Sequence, residues 1–434
     1  MNDLCITNAC VVTADAQGRV IRDGALAVKA GRIGWIGDSA DAPTARRQID
    51  AKGMILMPGL INAHCHAGDS LFRGLVEDLP LEAWLQKVWQ AEAAILTPET
   101  ARLGSTLGFA EMLLAGVTTV MDMFWYPGPV VAAARAVGLR VATGGIFIDG
   151  PGVDGLTGPA RLRQAEAFFE EYASAEDVFP GVLPHGTYTC GPETLMAAKA
   201  LTDRYGGFFS THAAETQAEQ ATVNARYGRS IIRHMDALGL LDSRTVLAHA
   251  VHLDDAEIAI LAWRGVTVAH CPASNLKLGS GVARVPDLLA AGVTVALGSD
   301  GAISGNDLDP WLALRLAATL HRGTSSRADA VGKAQALHMA TLAGAKALAA
   351  EDRIGSLEVG KFADMILIDV TRPHAVPLFD PVTHLAYSTA KSDVRHVFLG
   401  GAQVVRDGAL TRLDIFATLA EVRALMPRIA AAIA

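Results

Sequence analysis

The chain alternates between short apolar runs and longer segments in which apolar residues recur at helical spacing. The runs are almost uninterrupted, which is typical of strands buried on both faces of a parallel sheet. The segments between them, such as 99–115 and 254–263, open on residues that start helices. Eight alternations of this kind predict an α/β protein with a (β/α)8 TIM barrel, and an open doubly wound sheet is the structural competitor. The predicted strands are 55–66, 117–121, 140–142, 181–185, 208–212, 245–249, 266–270 and 293–300.

Both ends of the chain carry a different pattern. Short strands at 24–28 and 32–36, separated by Gly and Asp turns, precede the first barrel strand. Runs of the same character return at 363–368 and 394–405. We therefore predict one small β-sandwich domain formed by both chain ends, from residues 1–54 and 360–411. The barrel would occupy 55–359, and a C-terminal helix would occupy 412–434.

Composition narrows the classes of function. With 51% hydrophobic and 19% charged residues, the chain is globular. A formal net charge of −8 without a basic run argues against a nucleic-acid polymer as partner. The start has neither a basic leader nor a long apolar segment, so we expect no membrane span and a cytoplasmic location. The five scattered cysteines are typical of reduced, buried thiols. A small-molecule substrate is expected, and the sequence leaves open whether the chain forms a homo-oligomer.

Histidines and one aspartate fall where the predicted strands end. The first strand ends in two histidines that are two residues apart, which places both side chains on one face of a strand. Active sites of barrels lie at the carboxyl ends of the strands, so the joint placement predicts a metal site there. Any one of these residues alone would be read as an ordinary hydrogen-bonded side chain. The residues are His64, His66, His185, His212, His249 and Asp300.

Four motifs resemble the amidohydrolase superfamily. They are PGLINAHCH at 58–66, HAAET at 212–216, LAHAVHL at 247–253 and GSDG at 298–301. Within that superfamily they look like the branch that holds the methylthioadenosine/S-adenosylhomocysteine deaminases and the s-triazine hydrolases. The resemblance spans nearly the whole chain, including GKFAD at 360–364.

The resemblance implies one divalent metal ion bound by His64, His66, His212 and Asp300. Three imidazoles and a carboxylate suit zinc, with ferrous iron as the alternative. Binuclear relatives carry a modified lysine on the fourth strand, whereas that strand ends here in His185. One metal is therefore expected.

The family pattern also implies roles in catalysis. Glu215 follows His212 by three residues and would move a proton from the attacking water to a ring nitrogen. Its alternative role is that of a glutamate favoured by the dipole of the next helix. His249 would stabilise the attacking oxygen, and Asp300 would add proton transfer to its role as ligand. His185 would contact the substrate.

Residues 70–85 resemble the loop after the first strand of the methylthioadenosine/S-adenosylhomocysteine deaminases. The resemblance implies that Trp84 packs on the nucleoside and that Glu92, after a one-residue shift, binds ribose hydroxyls. Both could instead be ordinary helix residues. Members that bind the homocysteine form carry arginines near the third strand, and residues 142–150 contain none. Nothing in the sequence places Arg161 or Arg163 as substitutes.

The implied function is deamination of an aminated purine nucleoside, preferably an uncharged 5′-substituted adenosine such as methylthioadenosine. A hydroxide activated by the metal would attack the amino-bearing carbon, and ammonia would leave. The alternatives are hydrolysis of an s-triazine or another N-heterocycle, or deamination of a guanine- or cytosine-type base. A non-catalytic barrel scaffold is the alternative from a different class.

Overall fold

The computed structural model describes residues 1–433, and Ala434, the last residue of the predicted C-terminal helix, lies outside them. The chain folds as an α/β protein. Its strands are β1 Asn2–Val12, β2 Val20–Lys29, β3 Arg32–Asp38, β4 Ala45–Asp50, β5 Ile55–Pro58, β6 Leu60–Cys65, β7 Val117–Asp122, β8 Arg140–Phe147, β9 Val178–Pro184, β10 Phe208–Ala213, β11 Thr245–His249, β12 Thr267–His270, β13 Thr294–Leu297, β14 Met365–Ile368, β15 Val394–Leu399, β16 Ala402–Arg406 and β17 Ala409–Leu410.

The helices fill the segments between these strands. Short 3-10 turns occupy Ser39–Asp41, Ala67–Phe72, Pro373–Ala375 and Lys391–Asp393. The α-helices are α1 Leu81–Ile95, α2 Pro98–Leu114, α3 Pro127–Val137, α4 Gly158–Tyr172, α5 Pro192–Tyr205, α6 Gln217–Tyr227, α7 Ile231–Ala237, α8 Asp255–Arg264, α9 Pro272–Lys277, α10 Val285–Ala290, α11 Pro310–Ser325, α12 Lys333–Met339, α13 Leu342–Ala347, α14 Pro381–Tyr387 and α15 Ile415–Ala431.

Local sequence signals explain where helices begin. The side chain of Thr97 accepts a hydrogen bond from the backbone of Thr100 and starts α2. Asp254 and Glu257 exchange side-chain bonds of 2.9 Å with each other's backbone and so form a capping box at the start of α8. Both helices were predicted. Within residues 1–433, every helix falls short of the length and apolar character that a membrane crossing needs.

Strands β6 to β13 form the predicted eight-stranded parallel sheet, each strand pairing with the next. The backbone N–H of Asp300, just after β13, donates to the carbonyl of His64 on β6 at 3.1 Å. This bond brings the last strand end beside the first, as barrel closure requires. Small side chains such as Ala142, Ala269 and Ala296 lie in one of the buried clusters of the core. The fold class predicted from the apolar runs is confirmed.

A second sheet unites both chain ends, in the order β17-β16-β15-β14-β5-β1-β2-β3, with β4 also pairing with β1. The apolar run 55–66 is divided between the two sheets, because β5 pairs antiparallel with β14 while β6 begins the barrel. Gly59 stands at the division, and a Cβ there would lie 2.1 Å from Oγ1 of Thr118. The single long strand predicted over 55–66 is therefore wrong. The assignment of residues to domains stays a prediction.

A buried ion pair ties the two sheets together. Arg140 on β8 donates from Nε to Oδ2 of Asp364 at 2.6 Å and from Nη2 to Oδ1 at 3.1 Å. The two side chains are 6% and 3% exposed. The backbone of Gly400 donates to the same carboxylate at 2.7 Å. Asp364 directly precedes β14, so this pair fixes the end sheet against the barrel.

Candidate active site

Four side chains predicted as metal ligands converge at the carboxyl ends of barrel strands. His64 lies on β6, His66 directly follows that strand, His212 lies on β10, and Asp300 follows β13. Nε2 of His66 lies 3.2 Å from Nε2 of His212 and 3.3 Å from Oδ1 of Asp300. Nε2 of His64 lies 3.6 Å from the same carboxylate oxygen. The structure thus brings all four donors into one buried cluster.

Hydrogen bonds on the outer side of the cluster fix the orientation of the rings. Nδ1 of His66 donates to the carbonyl of Met123 at 2.7 Å, and Nδ1 of His212 donates to the carbonyl of His185 at 2.6 Å. A carbonyl can only accept, so Nδ1 of each ring holds a proton, and in the neutral imidazole that a metal requires Nε2 then has the lone pair. This leaves both Nε2 lone pairs directed at the cluster.

The donor set fits a divalent cation. Ligand atoms of His64, His66 and His212 lie within 4.8 Å of one another, and so do those of His64, His249 and Asp300. Neither ring nitrogen of His64 makes a hydrogen bond within residues 1–433, although the side chain is fully buried. Buried polar atoms almost always have a partner, so a bound cation is a natural one for this imidazole.

The electrostatics of the cluster centre on Asp300. Burial lowers the pKa of His64 to about 4 and keeps it neutral, which is the form that binds a metal. Burial alone would also lower the pKa of His66, but the hydrogen bond and charge of Asp300 raise it to about 10. Burial disfavours the ionised form of Asp300, yet the imidazoles of His64 and His66 beside it hold the pKa of Asp300 well below its usual value. The cluster therefore stabilises a positive charge beside an ionised carboxylate.

The backbone at the site adopts conformations that side-chain-bearing residues rarely populate. His249, Ala250 and Asp300 have φ of 72°, 46° and 61°. Such residues cost roughly 1–3 kcal/mol each and persist only where surrounding contacts hold them. Here the backbone of Ala250 donates to the carbonyl of Ala213 at 3.1 Å. Two of the predicted functional residues are thus held in strained positions.

Glu215 and His249 form a second buried pair beside the cluster. Oε2 of Glu215 lies 3.7 Å from Nε2 of His249. Ser280 Oγ donates to Oε1 of Glu215 at 3.3 Å, and Nδ1 of His249 donates to Oδ1 of Asn275 at 2.9 Å. Burial raises the pKa of Glu215, although the charge of His249 opposes the shift. Glu215 precedes α6, whose capping residue is Thr216, and so does not act as a first-turn helix residue.

One cavity is lined by His66, His212, Glu215, His249 and Asp300. Its empty volume is about 760 Å³, which includes open solvent at the mouth. The predicted substrate residues Trp84, Glu92 and His185 line it together with Glu215 and His249. Sequence reasoning missed several other residues in the wall, among them Asp69, Trp89, Trp125, Ile146, Ile148, Tyr188, Leu278 and Ser304.

Two of the missed residues carry a signal that sequence could have offered. Asp69 follows His66 by three residues, as Glu215 follows His212, and Trp125 comes just after β7 ends. Nε1 of Trp125 donates to Oε2 of Glu92 at 3.3 Å. Burial raises the pKa of Glu92 to about 7. These residues make the side of the cavity next to α1 both aromatic and acidic.

Arg161 and Arg163, the possible partners for a substrate carboxylate, do not line the cavity. Arg161 is 1% exposed and donates to both oxygens of Asp154, at 2.8 and 3.0 Å, and to the carbonyl of Ile146 at 3.3 Å. Arg163 is exposed, and neither arginine is among the residues that line the cavity. Neither therefore substitutes for the missing arginines near the third strand.

Several known proteins resemble this chain in sequence or structure. The amidohydrolase family matches over residues 55–404. A 5-methylthioadenosine/S-adenosylhomocysteine deaminase from Syntrophobacter fumaroxidans is 39% identical over 427 residues, which cover 97% of each chain. A 5′-deoxyadenosine deaminase from Methanosarcina acetivorans is 37% identical over 98% of this chain and 97% of its own. A zinc-bound adenosine deaminase from Xanthomonas campestris superposes with a TM-score of 0.96 at 35% identity, covering 99% of this chain and 98% of its own.

Proposed function

The chain belongs to the amidohydrolase family, and from this premise we propose that it deaminates adenosine-type nucleosides with an uncharged 5′ substituent, such as methylthioadenosine. It is a hydrolase that acts on carbon–nitrogen bonds. Enzymes of this family depend on a divalent metal, and the histidine and aspartate cluster is a candidate site for one. We propose that the metal is zinc, because zinc accepts three imidazoles and a carboxylate as ligands. The names of the relatives and of the solved structure support an adenosine-type substrate.

The observation that carries the proposal is the position of Glu215. Its carboxyl group is buried, lies 3.7 Å from His249, and faces the same cavity as the metal-binding cluster. A deaminase needs such a group to move a proton from water to the ring nitrogen, because the amino group leaves only after the ring carbon becomes tetrahedral. Burying a carboxyl group destabilises a protein unless the group has a function, so its position argues against a non-catalytic scaffold.

The chain's own residues then divide the work. When bound, the metal lowers the pKa of a water molecule toward neutrality and so supplies the nucleophile. Glu215, whose pKa burial raises, would carry the proton to the ring nitrogen. His249, whose ring Asn275 orients, would stabilise the negative charge that develops on the attacking oxygen. Asp300 would serve both as ligand and as proton carrier to the leaving ammonia.

The cavity wall favours an uncharged substrate. Among residues 1–433, the residues that line it include neither lysine nor arginine, whereas Asp69, Glu92, Glu215 and Asp300 are all present. The carboxylate of S-adenosylhomocysteine would find no cationic partner here, and charge-assisted pairs are the strong ones. Trp84 would cover one face of the nucleoside, Glu92 would accept from sugar hydroxyls, and His185 would contact the base.

The test is ammonia release by zinc-loaded protein from methylthioadenosine, adenosine, S-adenosylhomocysteine, guanine, cytosine and an aminated triazine. We expect selective turnover of the uncharged adenosine derivatives. In the variant Glu215→Gln we expect kcat to fall about 10²- to 10⁴-fold with the metal content unchanged. Turnover of a free base or triazine alone would overturn the substrate assignment.

A matched control is available in Glu257→Gln. Glu257 is as buried as Glu215, at 3% exposed, but caps α8 and lies away from the cavity. A glutamine can still accept this capping bond, so the activity of Glu257→Gln should equal that of the unmodified protein. Equal activity of Glu215→Gln and Glu257→Gln would contradict the role of Glu215.

A further inference from the structure

Glu219, on the first turn of α6, binds the backbone of Glu215, the residue proposed to move the proton. Oε2 of Glu219 accepts a hydrogen bond from the backbone N–H of Glu215 at 2.8 Å. Glu219 is 7% exposed, and it is not among the residues that line the cavity. Its Oε1 makes no hydrogen bond within residues 1–433. Burying a carboxyl group with so few partners destabilises a protein, so stability alone does not explain the bond to Glu215.

This bond differs from ordinary helix capping by one residue. In α8, Glu257 is the third residue of the helix and accepts from the backbone N–H of the capping residue Asp254 at 2.9 Å. Glu219 is likewise the third residue of α6, whose capping residue is Thr216. It reaches past Thr216, however, and accepts from the N–H of Glu215. Both helices thus have a glutamate at the same position, but only in α6 does it bind a residue of the cavity wall.

The other side of the same peptide bond is also fixed. Ala214, directly before Glu215, has a φ of 54°, and its carbonyl accepts from the backbone N–H groups of Val251 and His252 at 2.9 Å each. These two donors follow β11, the strand that carries His249. A peptide bond is planar, so hydrogen bonds to its carbonyl and its N–H together fix its orientation. If the N–H loses its acceptor, only half of this restraint remains.

We propose that Glu219 is a positioning residue, whose bond to the backbone of Glu215 directs the carboxyl group of Glu215 at the substrate. This proposal rests on the proposed function, because it takes Glu215 to carry the proton. The side-chain contacts of that carboxyl group are long: Ser280 Oγ donates to it at 3.3 Å, and Nε2 of His249 lies 3.7 Å away. The restraint on the backbone therefore decides where the carboxyl group lies. A displacement of about 1 Å can lower a rate about 10²-fold.

Two substitutions of Glu219 separate its bond from its charge. Burial raises the pKa of Glu219 to about 7, so its neutral form is well populated at neutral pH. The amide oxygen of a glutamine can accept the same N–H. Methionine has nearly the same length, but its sulfur is only a weak acceptor. Glu219→Gln should therefore keep the position of Glu215, and Glu219→Met should lose it.

The test measures kcat and KM of zinc-loaded protein for the nucleoside that it deaminates fastest. For Glu219→Met we expect kcat to fall about 10- to 100-fold with KM nearly unchanged, because the displaced carboxyl group acts in the transition state and not in substrate binding. Glu219→Gln should retain most of the kcat. An unchanged kcat in Glu219→Met would overturn the proposal. Equal losses in the two variants would also overturn it, because the charge of Glu219 and not its bond would then matter.

Glu257→Met is the matched control on α8. Glu257 is 3% exposed, accepts a backbone N–H at 2.9 Å, and is not among the residues that line the cavity. Nη1 of Arg233 also lies 3.2 Å from Oε1 of Glu257, so this variant should lose at least as much stability as Glu219→Met. We expect it to keep the kcat of the unmodified protein. If Glu257→Met lowers kcat as Glu219→Met does, the effect belongs to helix capping in general and the proposal fails.

Crystal structures of the Glu219 variants separate this proposal from the proposed function, because they require no activity. We expect the distance between Oε1 of Glu215 and Oγ of Ser280 to grow by about 1 Å or more in Glu219→Met and to stay unchanged in Glu219→Gln. If nucleosides are deaminated but either kcat or this distance is unchanged in Glu219→Met, only this proposal fails. If no nucleoside is deaminated but the carboxyl group moves in Glu219→Met alone, only the proposed function fails. If nothing is deaminated and the carboxyl group does not move, both fail.

Discussion

Replacing Asp364 by asparagine tests the buried ion pair between the barrel and the end sheet. The substitution keeps the size of the side chain but removes its charge, so the guanidinium of Arg140 stays buried without its counter-ion. Arg140 is 6% exposed, and its other contacts are the carbonyl of Glu176 at 2.7 Å and the ring of Phe362 at 4.0 Å from the centroid. Neither replaces a carboxylate. Breaking a buried pair on one side costs about 3–5 kcal/mol, and we expect the lower end because asparagine retains one acceptor.

The chain supplies its own control for this prediction. Arg135 and Asp177 make the same two-bond geometry, at 2.7 and 3.2 Å, but their side chains are 49% and 35% exposed. An exposed pair contributes at most about 1 kcal/mol, since water solvates both partners when the pair is broken. Asp177→Asn should therefore change the free energy of unfolding by less than Asp364→Asn by a factor of about three or more.

The measurement is urea unfolding followed by far-ultraviolet circular dichroism for both variants and the unmodified protein. A third variant, Arg140→Met with Asp364→Asn, removes both charges and should recover part of the lost stability. If Asp364→Asn loses no more than Asp177→Asn, burial does not set the strength of this pair and the reasoning is refuted.

Three further predictions follow from the site. Asn275→Ala should lower kcat roughly 10-fold or more, because His249 loses the acceptor that orients its ring; an unchanged kcat in steady-state assays would contradict that role. Burial raises the pKa of Cys190 to about 11 and all five cysteines are buried, so at pH 8 roughly one Cys190 thiol in a thousand is ionised; Ellman's reagent should leave the native protein unlabelled and label five thiols after unfolding, with rapid native labelling as the contrary result. Ile148→Arg should place a cation in the cavity wall and raise the kcat/KM ratio of S-adenosylhomocysteine to methylthioadenosine about 10-fold or more; a fixed ratio would show that substrate charge is not selected at this position.

The fold was predictable because its main signal is local. Strands buried on both faces need continuous apolar runs, and the eight runs appear as the eight barrel strands. The division of 55–66 was not predictable, since Ile55 and Leu60 look alike in hydrophobicity and differ only in their pairing partners. Those partners, on β14 and β7, are far away in sequence. The hydrophobic pattern of a strand indicates how buried the strand is, but it does not indicate which strand pairs with it.

The candidate site also contains residues that the sequence predicts and residues that it does not. His64, His212 and Asp300 could be predicted because strand ends meet at one face of a barrel and their motifs are recognisable. Asn275 and Ser280 could not, because they reach His249 and Glu215 from the segment after β12, where no motif marks them. Their role depends on which side chain they touch. A sequence predicts donors at strand ends better than it predicts the groups that orient them.

Arg161 shows why the charge of the preferred substrate cannot be predicted from composition alone: the contacts of each arginine must also be known. Residues 142–150 lack arginine, but Arg161 lies close enough in sequence to have filled the same role. In the folded chain, Asp154 takes both ends of its guanidinium, and the pair lies behind Trp125 at 5.5 Å from the ring centroid. The guanidinium group of Arg161 therefore contacts residues of the cavity wall and does not reach a bound substrate. Among residues 1–433, no lysine or arginine lines the cavity, so its wall favours a substrate that brings no carboxylate.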